Sequence, residues 1–280
     1  AIACAYTIEG EGPALFLIHG IGARRATFAK LVEGLKDRFT CIRYDLRGHG
    51  ESPVPKAPFG LEDLVDDLEA LRSKIGIECA HFAGHSLGGM IGPAYAKRYP
   101  DKVNSLGLWS TAAFRTPEDS AKVKAVVAAM REKDIPQVLD TLTARWFTDD
   151  FAANHPDVIE KRKQQVIDTP ADIFLNVFDI YAGTEMGPWL HEISAPCQLM
   201  TGEEDGGCNP RLNREAGPSA PVAMGLRRCS FIAELLRNFG FKWEDGDHPP
   251  GNDDSTAVKI TVTVGILTSV ECPIAITVFG

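Results

Sequence analysis

The chain has 280 residues, enough to bury a full hydrophobic core without staples, as one large α/β domain or two small ones. Its apolar fraction of 44% and charged fraction of 24% are ordinary for a globular protein, and its net charge of −9 disfavours nucleic acid or an anionic membrane surface as the main partner. The seven cysteines are odd in number and contain no C-x-x-C pair, which argues against a disulfide framework or a zinc site. Cys41, Cys79 and Cys197 lie in or beside apolar runs and are expected to be buried thiols. No stretch has membrane-spanning length, and no charged start leads into a long apolar run. The expected location is the cytoplasm, although a first residue other than Met is compatible with a removed leader.

Strand-like and helix-like segments alternate from the start. "ALFLIHG" (14–20) is an apolar run ending in a glycine turn, and "ATFAKLVEGL" (26–35) has helical spacing. "FTCIRYDLRGHG" (39–50) reads as a strand running into a polar loop. "LEDLVDDLEALRSKIG" (61–76) is an amphipathic helix, with Leu61, Leu64, Leu68 and Leu71 on one face and Gly76 to end it. "CAHFAG" (79–84) is a strand, "LGGMIGPAYAKRYP" (87–100) a helix and "VNSLGLWS" (103–110) the next strand. This rhythm predicts an α/β fold with a mostly parallel sheet flanked by helices. From Pro117 to about Gly183 the segments are purely helical, and the strand pattern resumes at "APCQLMTGEED" (195–205). The expected organisation is a core of residues 1–110 and 195–280 with a helical lid, 111–194, inserted between two strands. Within the lid, Lys161, Arg162 and Lys163 read as a solvated helix face.

Ser86 stands between Gly84 and Gly88 in "GHSLG", after a strand and before a helix. In that context the small residues permit a sharp turn that lifts the serine clear of the sheet as a nucleophile. The following helix points its positive end at the site, where the N–H of Leu87 can face an oxyanion. In "HGIG" (19–22), Gly20 lets the backbone approach a substrate and the N–H of Ile21 offers a second oxyanion donor. His19 reads as a structural hydrogen-bonder. Asp205, in "GEED" (202–205) at a strand's C-terminal end, is a candidate acid to orient a histidine, with Glu203 and Glu204 as competitors.

HGIG at 19–22, YDLRGHGES at 44–52, GHSLGG at 84–89 and GEED at 202–205 together resemble the α/β-hydrolase superfamily, in the family's order. "RYDLRGHGESPVP", "HFAGHSLGGMIG" and "ARWFTDDFAANHP" resemble 3-oxoadipate enol-lactonase-like hydrolases, within a resemblance that runs from about residue 6 to 214. It implies hydrolysis of a small-molecule carboxylic ester or lactone, with no metal and no organic cofactor. It makes His49 part of a structural loop and turns His85 away from the serine. Arg145 and Trp146 in the lid would recognise a substrate carboxylate or apolar body, or else pack as a lid pair. Carbon–carbon bond hydrolases and cofactor-free perhydrolases keep the same serine triad, so the resemblance covers them too.

The family order is Ser, acid, His, and of the seven histidines only His248 follows Asp205. It stands 248 − 205 = 43 residues on, further than a loop, a helix and a strand require. Residues 215–280 do not match the family. In one reading "GLRRCSFIAELLRNFG" (225–240) is a helix, "FKWE" (241–244) a strand and "DGDH" the histidine loop. In the other the tail is foreign to the fold, and the period-2 run "VKITVTV" (258–264), where the family has a helix, favours that. The first makes the chain a hydrolase with Ser86, Asp205 and His248. The second leaves a hydrolase scaffold that binds a small molecule without a base.

Overall fold

The computed structural model describes residues 1–202, 205–208 and 211–212, with the backbone of 258–263 and 273–279. The strands are β1 (Tyr6–Glu9), β2 (Ala14–Ile18), β3 (Thr40–Tyr44), β4 (Ala80–His85), β5 (Val103–Trp109), β6 (Cys197–Gly202), β7 (Val258–Thr263) and β8 (Pro273–Phe279). The helices are α1 (Ala29–Leu35), α2 (Leu61–Lys74), α3 (Gly88–Arg98), α4 (Pro117–Lys133), α5 (Ile135–Trp146), α6 (Asp149–Asn154), α7 (Pro156–Ile167) and α8 (Ala171–Gly183).

The strands form one sheet in the order β1-β3-β2-β4-β5-β6-β8-β7. From β3 to β6 every pairing is parallel. Leu15, Phe16, Leu17 and Ile18 of β2 are all fully buried, so this strand is covered on both faces, as parallel sheets require. Phe16 lies opposite Phe82 of β4 and stacks on it at 5.1 Å. Phe82 in turn meets Tyr95 of α3 at 4.9 Å. The Tyr95 hydroxyl donates to Glu69 of α2 at 2.6 Å and accepts from Arg72. One column of aromatic rings therefore ties sheet, α3 and α2 together.

Local chemistry sets the element ends. Gly76, at φ +73°, closes α2 by donating its N–H to the Ser73 carbonyl. In the helical insert, Pro117, Pro136 and Pro156 occupy the first turns of α4, α5 and α7, where a missing N–H costs nothing. Thr116 caps α4 by accepting from the Asp119 N–H, and Thr148 caps α6 by accepting from Phe151. The five insert helices run without interruption between β5 and β6, as the sequence pattern expects. None of the described helices is long and apolar enough to cross a membrane.

Both sheet edges depart from the β-α-β rhythm. β1 pairs antiparallel with β3; its four residues are half-exposed to exposed and carry no apolar run to announce a strand. Beyond β6 the next strand is β8, antiparallel, followed by β7, antiparallel again. The period-2 run at 258–264 is thus strand β7. The helix expected at 225–240 and the strand expected at 241–244 lie outside the described residues.

The aromatic column generates a stability prediction. Phe82→Ala should lower the unfolding free energy by about 3–5 kcal/mol in a urea titration, the cost of emptying a packed aromatic site. Ile8→Ala, on the exposed edge strand, should stay within about 0.5 kcal/mol of wild type.

Candidate active site

Ser86 follows β4 directly and begins the turn into α3 with φ +54°, a left-handed backbone on a non-glycine residue. That conformation costs about 1–2 kcal/mol. The Ser86 N–H donates to the Trp109 carbonyl at 2.9 Å. The Ser86 carbonyl accepts from the Gly89 N–H at 2.9 Å and from the Thr111 hydroxyl at 3.2 Å. The flanking glycines are steric necessities: a Cβ on Gly84 would overlap the Gly88 carbonyl, and a Cβ on Gly88 would overlap the Ile18 carbonyl. Only this composition lets the helix start directly against β2 and β4.

The loop after β2 lies over the serine. A Cβ on Gly20 would stand 3.1 Å from the Ser86 Cβ. The polar groups of this loop are accounted for one by one. The Gly20 carbonyl accepts from His19 Nδ1 at 2.8 Å and from the Ala23 N–H at 3.2 Å. The Gly22 N–H donates to His49 Nε2 at 3.1 Å. The carbonyls of Ile21 and Gly22 accept from the Arg162 guanidinium. The Ile21 N–H donates to no described group, nor does the Leu87 N–H across the turn. Ile21 is 7% exposed and Leu87 fully buried, and unpaired N–H groups at buried positions are rare.

His19 and His49 work as a matched pair of backbone ties, their rings 5.4 Å apart. His19 Nε2 accepts from the Leu46 N–H at 2.9 Å, so its proton is on Nδ1 and donates to Gly20. His49 Nε2 accepts from Gly22, and Nδ1 donates to the Arg47 carbonyl at 3.0 Å. Burial pushes His19 well below its usual 6.5 and His49 down to about 4. The structural roles expected for both are what the hydrogen bonds show. Asp45 in the same loop accepts from the Arg25 and Glu51 N–H groups, and Arg47 forks onto buried Asp67 at 2.7 and 2.8 Å.

His81 bonds the Ser105 hydroxyl at 2.8 Å, and His155 packs on the Phe151 ring at 4.7 Å. Burial pushes His85 down to about 4; the Asp205 carboxylate opposes that shift and Arg162 reinforces it. Both charges are therefore felt at the residue next to Ser86. Among the described residues no histidine nitrogen hydrogen-bonds the Ser86 hydroxyl. His248, Glu203 and Glu204 lie outside the described residues.

Asp205 sits just past β6. Its Oδ1 accepts from the N–H groups of Gly207 at 2.8 Å and Cys208 at 2.7 Å. Among the described residues its Oδ2 meets only the Thr201 hydroxyl, at 3.4 Å. One oxygen is thus fixed by two backbone N–H groups.

The insert closes over this corner. A Cβ on Gly22 would stand 2.7 Å from the Phe174 ring of α8, and one on Gly48 would stand 2.6 Å from Ile173. Arg162 corrects the reading of Lys161, Arg162 and Lys163 as a solvated face. Its guanidinium reaches into the protein, donates to Ile21 and Gly22 and stacks on the Trp146 ring at 4.6 Å. The three-residue basic run concealed this, because α7 sends Lys161 outward and turns Arg162 toward the sheet. The Arg145 backbone packs near Gly206 of the acid loop, where a Cβ would meet its carbonyl at 3.3 Å.

A sequence model of the alpha/beta hydrolase fold matches residues 13–166, more than half of the chain. The protein belongs to the α/β-hydrolase fold family. Among its relatives, 3-oxoadipate enol-lactonase 2 of Acinetobacter baylyi is 28% identical over 224 residues, 80% of this chain and 79% of that protein. The enol-lactonase of Burkholderia xenovorans LB400 superposes with a TM-score of 0.72 at 25% identity, covering 85% of this chain and 96% of that one. A hydrolase from Pseudomonas aeruginosa PA01 superposes with a TM-score of 0.73 at 24% identity, covering 85% and 94%. The family and the enol-lactonase resemblance expected from the motifs both stand.

The buried histidine pair makes stability depend on pH. Between pH 6.5 and about 4 the unfolded chain protonates His49 and the folded protein does not. Its contribution is complete above 6.5 and is lost as the pH falls toward 4, on the order of 3 kcal/mol for His49 alone. His49→Gln should flatten a plot of urea unfolding free energy against pH in that window by about 1.4 kcal/mol per pH unit.

Proposed function

We propose that this protein is a serine hydrolase of small carboxylic esters or lactones, acting through Ser86, Asp205 and His248 and an acyl-enzyme. The observation that carries the reading is the pair of N–H groups at buried positions, Ile21 and Leu87, that meet no acceptor among the described residues, beside a serine held in a left-handed turn. Such donors are each worth about 3 kcal/mol when an oxyanion forms between them.

In the proposed reaction the Ser86 oxygen attacks the carbonyl carbon while His248 takes its proton. The carbonyl oxygen becomes an oxyanion held by the Ile21 and Leu87 N–H groups. The C–O bond to the leaving alkoxide breaks and His248 gives it the proton. In a lactone that alkoxide stays tethered to the acyl group. Water, deprotonated by His248, then attacks the acyl-enzyme, and the acid leaves as Ser86 regains its proton. The backbone-held carboxylate of Asp205 suits a group that holds the imidazole. His248 is assigned by elimination: His19 and His49 have both ring nitrogens bonded to backbone, His81 bonds Ser105 through Nδ1, and only His248 follows the acid in the chain.

Residues 111–194 act as the lid over the core of 1–110 and 195–280. Gly20, against Ser86, and Arg145 and Trp146, at the insert's inner corner, border the substrate. The lactone part of the reading rests on the enol-lactonases among the relatives. The rival is a hydrolase-fold small-molecule binder without a functional histidine, because residues 215–280 do not follow the family's sequence pattern.

Two experiments test this. Ser86→Ala should lose both p-nitrophenyl acetate hydrolysis and labelling by a fluorophosphonate. Ser86→Gly should lose them too while unfolding at no lower urea concentration than wild type, because it removes the left-handed penalty of about 1–2 kcal/mol. His248→Ala should lower kcat by about 10⁴ or more with an unchanged melting temperature. An unchanged rate would remove His248 from the mechanism, and a wild-type protein inert to the fluorophosphonate would favour the binder.

A further inference from the structure

Arg162 has an unusual position for a charged residue. It belongs to α7 of the insert, yet its two terminal nitrogens donate to consecutive carbonyls of the core loop, Ile21 at 2.7 Å and Gly22 beside it. Among the described residues no carboxylate pairs with it. Its guanidinium face is covered by Trp146 of α5 at 4.6 Å. Burial lowers its pKa to about 10, so it stays charged at neutral pH, and its partners among the described residues are carbonyl dipoles and a ring face.

The targets of those two bonds are specific. The peptide joining Ile21 to Gly22 is pinned at both ends, its carbonyl by Arg162 and its N–H by His49 Nε2. The peptide joining Gly20 to Ile21 has its carbonyl held by His19 and Ala23, and its N–H, that of Ile21, donates to no group among the described residues. The next peptide, Gly22 to Ala23, is held by Arg162 and by the turn bond back to Gly20. Arg162 thus supplies the insert's hold on the peptide carbonyls of the loop that aims the Ile21 N–H. The insert also meets this loop through the Arg24–Asp168 ion pair, which holds a side chain at the loop's end, and through Phe174 against Gly22, which is apolar; neither of these bonds a peptide group of residues 20–22.

We propose that Arg162 is a positioning residue that clamps the oxyanion loop from the lid, so that the Ile21 donor is set for catalysis only when the helical insert is seated on the core. This rests on the reading of Ile21 and Leu87 as the oxyanion donors. The clamp acts through the loop and touches neither Ser86 nor the substrate. Its removal should weaken transition-state binding and spare substrate binding. The guanidinium is a planar fork and the two carbonyls are adjacent, so a lysine can replace the charge but only one of the bonds.

The test uses the full chain with Arg162→Met and Arg162→Lys. For p-nitrophenyl acetate, Arg162→Met should lower kcat about 10–100-fold with KM within about 3-fold, and Arg162→Lys should fall between it and wild type. The inhibition constant of phenylboronic acid, whose tetrahedral adduct carries the oxyanion, should weaken by the same factor as kcat/KM. Wild-type kcat in Arg162→Met overturns the proposal. A loss confined to KM, seen with a carboxylate-bearing ester and not with a neutral one, also overturns it and makes Arg162 a binder of substrate charge. Hydrogen exchange reads the clamp without turnover: the Gly22 amide should exchange at least about 10-fold faster in Arg162→Met, and the Tyr95 amide of α3 should not change. Unchanged Gly22 exchange overturns the clamp whether or not an ester is hydrolysed. A wild-type protein that neither turns over nor labels at Ser86, but shows the exchange difference, fails the serine-hydrolase reading and leaves the clamp standing. Should Arg162→Met not fold, Arg162→Lys carries both readouts, and wild-type values in it overturn the proposal.

Discussion

At Gly88 the backbone of α3 presses against the Ile18 carbonyl with no room for a Cβ, and at Gly84 the strand before it presses against Gly88 in turn. These two contacts bring β2, β4 and α3 to a single point. Ser86 lies between them and takes a left-handed conformation that a serine does not choose unaided. The Trp109 carbonyl and the Thr111 hydroxyl, both from the next strand and its exit, hold it there. The oxyanion loop can lie over the serine only because that turn is so tight. The rest of the site is arranged around it.

The loop is rigid for a different reason. Its anchors are two neutral imidazoles, each accepting one backbone N–H and donating to one backbone carbonyl. Neutral rings can do this in a buried place where a charged group would have to be paired or solvated. They join the loop after β2 to the loop after β3, and Asp45 and the Arg47–Asp67 pair brace that second loop from behind. Arg162, a charged residue from another part of the chain, reaches the first of these loops and bonds its backbone carbonyls.

Most of the core was legible in the sequence. The parallel strands announced themselves as apolar runs, the insert helices as periodic segments begun by proline or threonine, and the serine turn as GHSLG between a strand and a helix. Asp205 could be favoured over Glu203 and Glu204 by position alone; in the structure its Oδ1 accepts from the Gly207 and Cys208 N–H groups. Three features were not legible. β1 is short and half-exposed, so it lacks the burial that marks its neighbours. β8 was hidden in a tail that follows no family pattern. Arg162 sat in a basic run, and local charge density says nothing about which way one side chain turns; only the partner loop, 140 residues away in sequence, decides it.

The outer boundary of the sheet has its own consequence. β6 does not end the sheet: β8 covers its free side and β7 lies beyond, both antiparallel. The border strand, VKITVT, is built from Val, Ile and Thr with Lys259 as its one charge, and among the described residues no further strand meets its outer row of amide and carbonyl groups. At the opposite border β1 is four residues long and ends in Glu9, a poor template for added strands. Among the described strands the two borders are therefore unequal, and the β7 border is the one more open to intermolecular β-pairing at high concentration. Lysine is one of the residues that natural sheets place on such borders to discourage it, and Lys259 stands second in the strand, leaving the four residues after it without a charge.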